Sequence, residues 1–245
     1  MPDSLSLIAS TKDEKALLEH YVKTLAADKT EIAILEAGCG QKWIMKLDGV
    51  NYSLTGIDID ADALSIRKDK FDDLDESIVG DLRDPELVEA GFDVIYNAFV
   101  LEHIEQAETV LSNFHRWLKP GGIMIIKVPD RHSVYGFIAH HTPHWMHVSY
   151  YRYIKGCKNA GKPGHIPYPT VYDEVVSRQG FKQFCEQHGL IIELEAGKNN
   201  YLRKKNLVNL AVKVLAICGS IVTLGYLKWH HNDLIYIIRK PSHAA

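Results

Sequence analysis

Three short stretches of the sequence put a carboxylate where a chain leaving a strand would turn: Glu36-Ala37-Gly38-Cys39-Gly40, Gly56-Ile57-Asp58 and Gly80-Asp81-Leu82. The glycines allow a tight turn and a close approach to a ligand without a Cβ in the way. Glu36 is an acceptor for a cationic group, Asp58 can accept both hydroxyls of a ribose, and Asp81 can accept an adenine amino group beside the apolar Leu82. A fourth stretch, Phe92 to Asn97 and then Val100-Leu101-Glu102-His103-Ile104, adds an imidazole. Between His132 and His147 histidines cluster, with His140, His144 and His147 at helical spacing. Taken singly, Asp58 and Asp81 also suit helix caps or turns. Capping gives no reason for carboxylates at successive strand ends.

The elements that must hold these residues follow from hydrophobic periodicity. Residues 13–27 carry Leu17, Leu18, Tyr21, Val22 and Leu25 at helical spacing. Strands are predicted at 31–35, 52–57, 77–79, 92–98 and 123–128, and helices at 41–47, 61–68 and 107–118. The last helix is closed by Lys119-Pro120-Gly121-Gly122. Alternating strand and helix imply a parallel, doubly wound α/β sheet, which binds ligands beyond the carboxyl ends of its strands. After Asp130 the rhythm breaks into an irregular insertion, 131–171. A helix at 172–188, a strand at 190–195, an apolar helix at 202–228 and a last strand at 233–239 complete the chain.

Read in order over about residues 31–130, ILEAGCG, LTGIDID, GDL, FDVIYNAFVLEHI and WLKPGGIMIIKVP resemble the class I S-adenosylmethionine-dependent methyltransferases, especially the type-11 group. That resemblance implies a seven-stranded Rossmann-like sheet whose last strand inserts antiparallel beside the sixth, and S-adenosylmethionine as cofactor. It implies that Glu36, Gly38 and Gly40 face the methionine part and that Asp58 holds the ribose. Ile59 and Leu82 would sandwich the adenine, Asp81 would bind its amino group, and Asn97 would sit by the methionine amine. A nicotinamide-binding Rossmann enzyme needs a third glycine where Trp43 stands. The methyltransferases' frequent third glycine is itself replaced here, at Gln41-Lys42.

Methyl transfer from a sulfonium is an in-line displacement, and the protein mainly aligns the partners. An acceptor hydroxyl also needs a base, commonly histidine. His103, just past the fourth strand, and His144, in the insertion, are the candidate catalytic bases. His103 reads more readily still as a helix-start residue that fixes its loop. Some metal-dependent members of this class read Glu-x-x-Glu-His here, but Phe99 replaces the first Glu; no resident metal is the leading expectation, and a metal held by Glu102, His103 and a later His is the minority reading. The insertion is expected to form the acceptor-selecting lid, with His140, His144 and His147 on one face.

The 245 residues suit one generous domain of ordinary composition, and the formal charge of −3 is read as spread along the chain, with no broad basic surface for nucleic acid. Cys39, Cys157, Cys185 and Cys218 form no CxxC pair, which fits a reduced cytosol. No basic segment followed by an apolar run opens the sequence, so no secretory signal is expected. Residues 207–227 approach a membrane-spanning length, flanked by Arg203, Lys204, Lys205, Tyr226, Lys228 and Trp229 as interfacial anchors. In the class this sequence resembles, the strands on either side pair, which is incompatible with a single crossing. The helix is expected to lie in a membrane surface, roof an apolar pocket, pack in an interface, or cover the sheet. The reading is a cytoplasmic enzyme, at most peripheral at a membrane, that methylates an oxygen or nitrogen of a small or lipid-linked acceptor. Its alternatives are aminopropyl transfer and an inactive cofactor-binding module anchored through the apolar helix.

Overall fold

A computed structural model describes residues 5–154, 156–162, 166–199 and 207–242. In chain order the elements are β1 (Ser6–Ile8), α1 (Thr11–Ala26), β2 (Ile32–Ala37), β3 (Tyr52–Asp58), α2 (Ala61–Ile66), β4 (Glu76–Val79), β5 (Phe92–Ala98), α3 (Ala107–Trp117), β6 (Leu118–Pro129), α4 (Val134–His141), α5 (His144–Ser149), α6 (Arg178–Gln187), β7 (Ile191–Lys198), α7 (Leu207–Val222) and β8 (Asp233–Arg239). The eight strands form one sheet in the order β1-β7-β8-β6-β5-β2-β3-β4. Only β8 is antiparallel to its neighbours, inserted between β6 and β7 as expected. The expected count of seven strands is short by β1, which pairs parallel with β7 at the edge.

Side chains alternate across the sheet as strand geometry requires. Ile34, Val94, Ile125 and Ile237 pack under α1 with Leu18 and Val22, while Leu35, Ile95, Met124 and Tyr236 pack with Phe114, Trp117 and Phe181 of α3 and α6. Helix α3 buries Ala107, Val110, Leu111, Phe114 and Trp117, the i, i+3, i+4, i+7 stripe of an amphipathic helix.

Four expected elements differ. No helix forms at 41–47: Met45 and Leu47 are buried and Lys46 between them is exposed, an alternation that belongs to extended chain. The helix expected at 172–188 begins only at Arg178, because the Ser177 side chain caps it by accepting from Gly180 N, after a short 3₁₀ turn at Glu174–Val176. The insertion is more helical than expected, with α4, α5 and a π-helical stretch at Tyr150–Ile154. Helix α7 is described from Leu207, so its expected start at 202 lies outside the described residues.

Candidate active site

Strand register brings the predicted tips to one level. Ala37 pairs with Ile57 on one side and with Asn97 on the other, and Asp58 pairs with Val79. The turn after β2 uses left-handed backbone at Gly38 (φ +72°) and Gly40 (φ +55°). A Cβ on Gly38 would sit 2.4 Å from Val100, whereas one on Gly40 would enter open space. Asp58 fastens this turn, accepting from Gly40 N at 2.8 Å and from Asp60 N at 2.9 Å. The cap of α2 is instead Asp60, which accepts from Asp62 N and Ala63 N. Asn97 is buried, donates to Ala37 O at 2.8 Å and leaves its Oδ1 without a partner.

Three of the predicted residues are engaged differently from expectation. The cation that meets Glu36 is the chain's own Arg67, wholly buried, whose Nη1 donates to Glu36 at 2.8 Å and to Cys39 O at 3.1 Å while Nε binds Asp73. Burial pushes the Glu36 carboxyl up to about 8, against the pull of Arg67. Asp81 is gripped by Arg83 through Nε and Nη2, which holds its carboxyl below the usual range. Ile59 is 75% exposed, whereas Leu82 is 4% exposed and packs in the core. Asn113 draws Leu82 inward by donating to the carbonyls of Leu82 and Arg83.

Beyond β5 and β6 lies a cleft of about 440 Å³ whose walls include Phe99, Glu102, His103, His147, Tyr151 and Tyr168. His103 Nδ1 lies 2.6 Å from Pro169 O. A carbonyl only accepts, so Nδ1 carries the proton and Nε2 keeps the lone pair in the neutral ring. Burial lowers the His103 pKa, partly offset by that carbonyl, so the ring is neutral at pH 7. Beside it, Glu102 is buried with Oε2 unpartnered, and its Oε1 lies 3.7 Å from His103 Nε2. Burial, with Asp233 behind it, pushes the Glu102 carboxyl up to about 8. Of the three insertion histidines, His144 and His147 lie together on α5, ring centroids 6.4 Å apart, and His140 is on another helix. His140 sits in α4 against Tyr172, and Pro143 separates it from α5, where His147 reaches the cleft and His144 does not line it. Among the described residues no group of three His, Cys, Asp or Glu could hold a metal ion.

Residues 11–194 match the profile of a methyltransferase domain family. The chain belongs to that family. A protein of Mycolicibacterium smegmatis described as an S-adenosylmethionine-dependent methyltransferase is 30% identical over 40% of this chain and 38% of its own length. The demethylmenaquinone methyltransferase of Staphylococcus epidermidis is 28% identical over 50% of this chain and 53% of its own length. A sterol 4-C-methyltransferase of Caenorhabditis elegans is 30% identical over 47% of this chain and 38% of its own length. The chain thus spans about half or less of these relatives. An S-adenosylmethionine-dependent methyltransferase from Archaeoglobus fulgidus superposes with a TM-score of 0.55 over 94% of this chain and 95% of its own, at 20% identity. A cyclopropane synthase from Mycobacterium tuberculosis superposes at 0.53 over 94% of this chain and 85% of its own, at 13% identity. The two structures establish the fold alone. S-adenosylmethionine is the cofactor that the descriptions of these relatives name.

The tips of β2, β3 and β5 fit that cofactor. Gly40 leaves space that a Cβ would fill, Ile59 offers an open apolar face, and the orphaned Asn97 Oδ1 needs a donor. Sequence reasoning missed Arg67, although its spacing after Ala63 and Leu64 puts a guanidinium on the buried face of the α2 segment. It also missed a charge cluster beneath the cleft. Glu14 of α1 pairs with Lys127 of β6 and with Lys198 of β7, all three buried, and Lys127 lies 4.9 Å from the Phe99 ring centroid. The signal was a lysine inside the apolar run Ile123 to Val128 and an acid on the buried stripe of α1.

Proposed function

We propose that this methyltransferase methylates an oxygen or nitrogen of a small or lipid-linked acceptor held in the cleft under residues 131–171. The observation that carries the reading is His103: a neutral imidazole in the cleft wall, its proton committed to Pro169 and its Nε2 lone pair available to an acceptor's proton. S-adenosylmethionine supplies a methyl carbon already activated by its sulfonium. The chain's part is to orient, to exclude water and to manage one proton.

On the cofactor side, the Gly38–Gly40 turn and Asp58 would receive the methionine and ribose parts, Ile59 one adenine face, and Asn97 Oδ1 the ammonium group. Asp81 would accept the adenine amino group through whatever valence Arg83 leaves. Glu36 supports that pocket through Arg67. On the acceptor side, Tyr151, Tyr168 and Phe99 give apolar walls suited to a flat or greasy molecule. Two of the relatives carry names of apolar acceptors, demethylmenaquinone and a sterol. With His144 off the cleft wall, His147 is the better second histidine.

Calorimetric titration with S-adenosylmethionine, followed by methyl release to a panel of quinols, phenols and amines in detergent, tests the reading. Saturable cofactor binding with turnover that needs His103 supports it. Binding with no turnover across the panel overturns catalysis and leaves the inactive module.

A further inference from the structure

The formal charge is not spread along the chain. Residues 131–172 and 196–232 hold eleven of the 28 Lys and Arg and none of the 31 Asp and Glu. That corrects the even distribution read from the net figure. The fold joins these two segments. Helix α4 packs on α7 and the chain after it through Val134, Ala216 and Leu227, and a Cβ on Gly219 would lie 3.3 Å from Val134. The chain after α7 is laced to the start of the insertion, Lys228 N donating to His132 O and Val134 N to Lys228 O.

The side of α7 used in this seam is its small one, Ala216 and Ser220. Its large apolar side chains therefore point outward: Leu210, Val214, Leu215, Ile221 and Val222, the last 81% exposed, followed by Leu224 at 97%. A helix that merely covers a sheet presents the opposite face to water. The insertion adds Phe137, Ile138, Met146, Tyr153 and Trp145, the last 67% exposed. Tyr226, Trp229, Lys213 and Lys228 edge the patch, with the Lys213 ammonium 5.6 Å from the Trp229 ring centroid. Among the described residues no helix is long and apolar enough to cross a membrane.

We propose that the joint outer face of α4, α5 and α7 docks along the surface of an anionic lipid bilayer. Exposed apolar side chains enter the interface, aromatic rings stand at its edge, and the exposed Arg152, Lys158, Lys162, Lys213 and Lys228 of the two acid-free segments meet the headgroups. A nucleic acid would use the charge but gain nothing from Val222 and Leu224. A second copy of the chain would set these exposed cations against the same cations. Helices α4 and α5 also carry cleft residues, Tyr135, Ala139 and His147, on their inner side. Docking therefore sets the cleft beside lipid and, resting here on the methyl-transfer reading, names the acceptor as a molecule dissolved in the bilayer.

Flotation of the full chain with phosphatidylcholine vesicles, with and without phosphatidylglycerol, tests docking apart from catalysis. Binding is expected to the anionic vesicles and to weaken with salt. Val222→Glu together with Leu224→Glu should lower partition by about tenfold or more, with S-adenosylmethionine binding unchanged as the check on folding. Flotation with neither vesicle overturns the proposal, as does binding that the double variant leaves intact. So does duplex RNA retention, or a dimer dispersed by that variant, in the absence of vesicle binding. Vesicle binding by a chain that ignores S-adenosylmethionine would sink the enzymatic reading and leave the docking face standing.

Discussion

A single carbonyl decides what His103 can do. By accepting the hydrogen bond that Nδ1–H donates, the Pro169 carbonyl fixes the tautomer and the ring plane, and partial burial keeps the ring uncharged at neutral pH. Replacing His103 with Gln should lower turnover about 10²- to 10⁴-fold while S-adenosylmethionine affinity stays within a few-fold, measured by calorimetry and initial rates. Because burial depresses this pKa, wild-type rates should hold constant from pH 8 down to about 6.5 and fall only in more acidic buffer; the variant should lose that acid limb. The two turn glycines separate fold from binding. Gly38→Ala forces a methyl into Val100 on left-handed backbone and should cost about 1–3 kcal/mol of stability, read by urea unfolding. Gly40→Ala meets no atom, so it should cost about 1 kcal/mol yet weaken cofactor binding tenfold or more, since its methyl occupies the space left for the ligand. The Gly turn and the tip carboxylates were legible in the sequence. Their partners were not, because Arg67, Arg83 and Pro169 reach Glu36, Asp81 and His103 through folding of separate or irregular segments.

Elements in this chain are held together by buried charge as well as by apolar contact. Glu14 ties α1 to β6 and β7 through Lys127 and Lys198, and although burial works to raise its pKa, the two ammonium groups bring it below the ordinary value. Glu14→Gln would leave two lysines buried and should cost about 3–5 kcal/mol at pH 7, measured by urea unfolding. The depressed pKa makes the pair's contribution present above about pH 4.5 and lost on acidification below it. Glu102 has the opposite sign. Raised from 4.5 to about 8, it holds in the fold a proton that the unfolded chain releases. Stability should thus decline as pH rises from 4.5 toward 8, and Glu102→Gln should flatten that decline, with its largest gain in melting temperature near pH 8. Strand and helix alternation was readable because each apolar run met its own stop. At 41–47 a two-residue alternation was mistaken for a helical one, and at 172–177 apolar spacing concealed a Ser cap. Strand β1 is three residues long and mostly exposed, too short to leave a pattern.

At the scale of the molecule, two segments free of acids also carry much of the exposed apolar surface. The whole-chain charge concealed this, since a nearly neutral total is compatible with any arrangement. The acid-free segments were visible in the sequence all along, but only the seam between α4 and α7 makes them one surface. The same ordering governs how the sheet is completed. Strands β1 and β7 reach the remainder of the sheet only through β8, which enters between β7 and β6. A nascent chain that has not yet exposed Asp233–Arg239 therefore has a sheet in two unjoined parts. Assembly of the sheet must wait for Asp233–Arg239, and a truncation before Asp233 should yield protease-sensitive product, not a smaller stable enzyme.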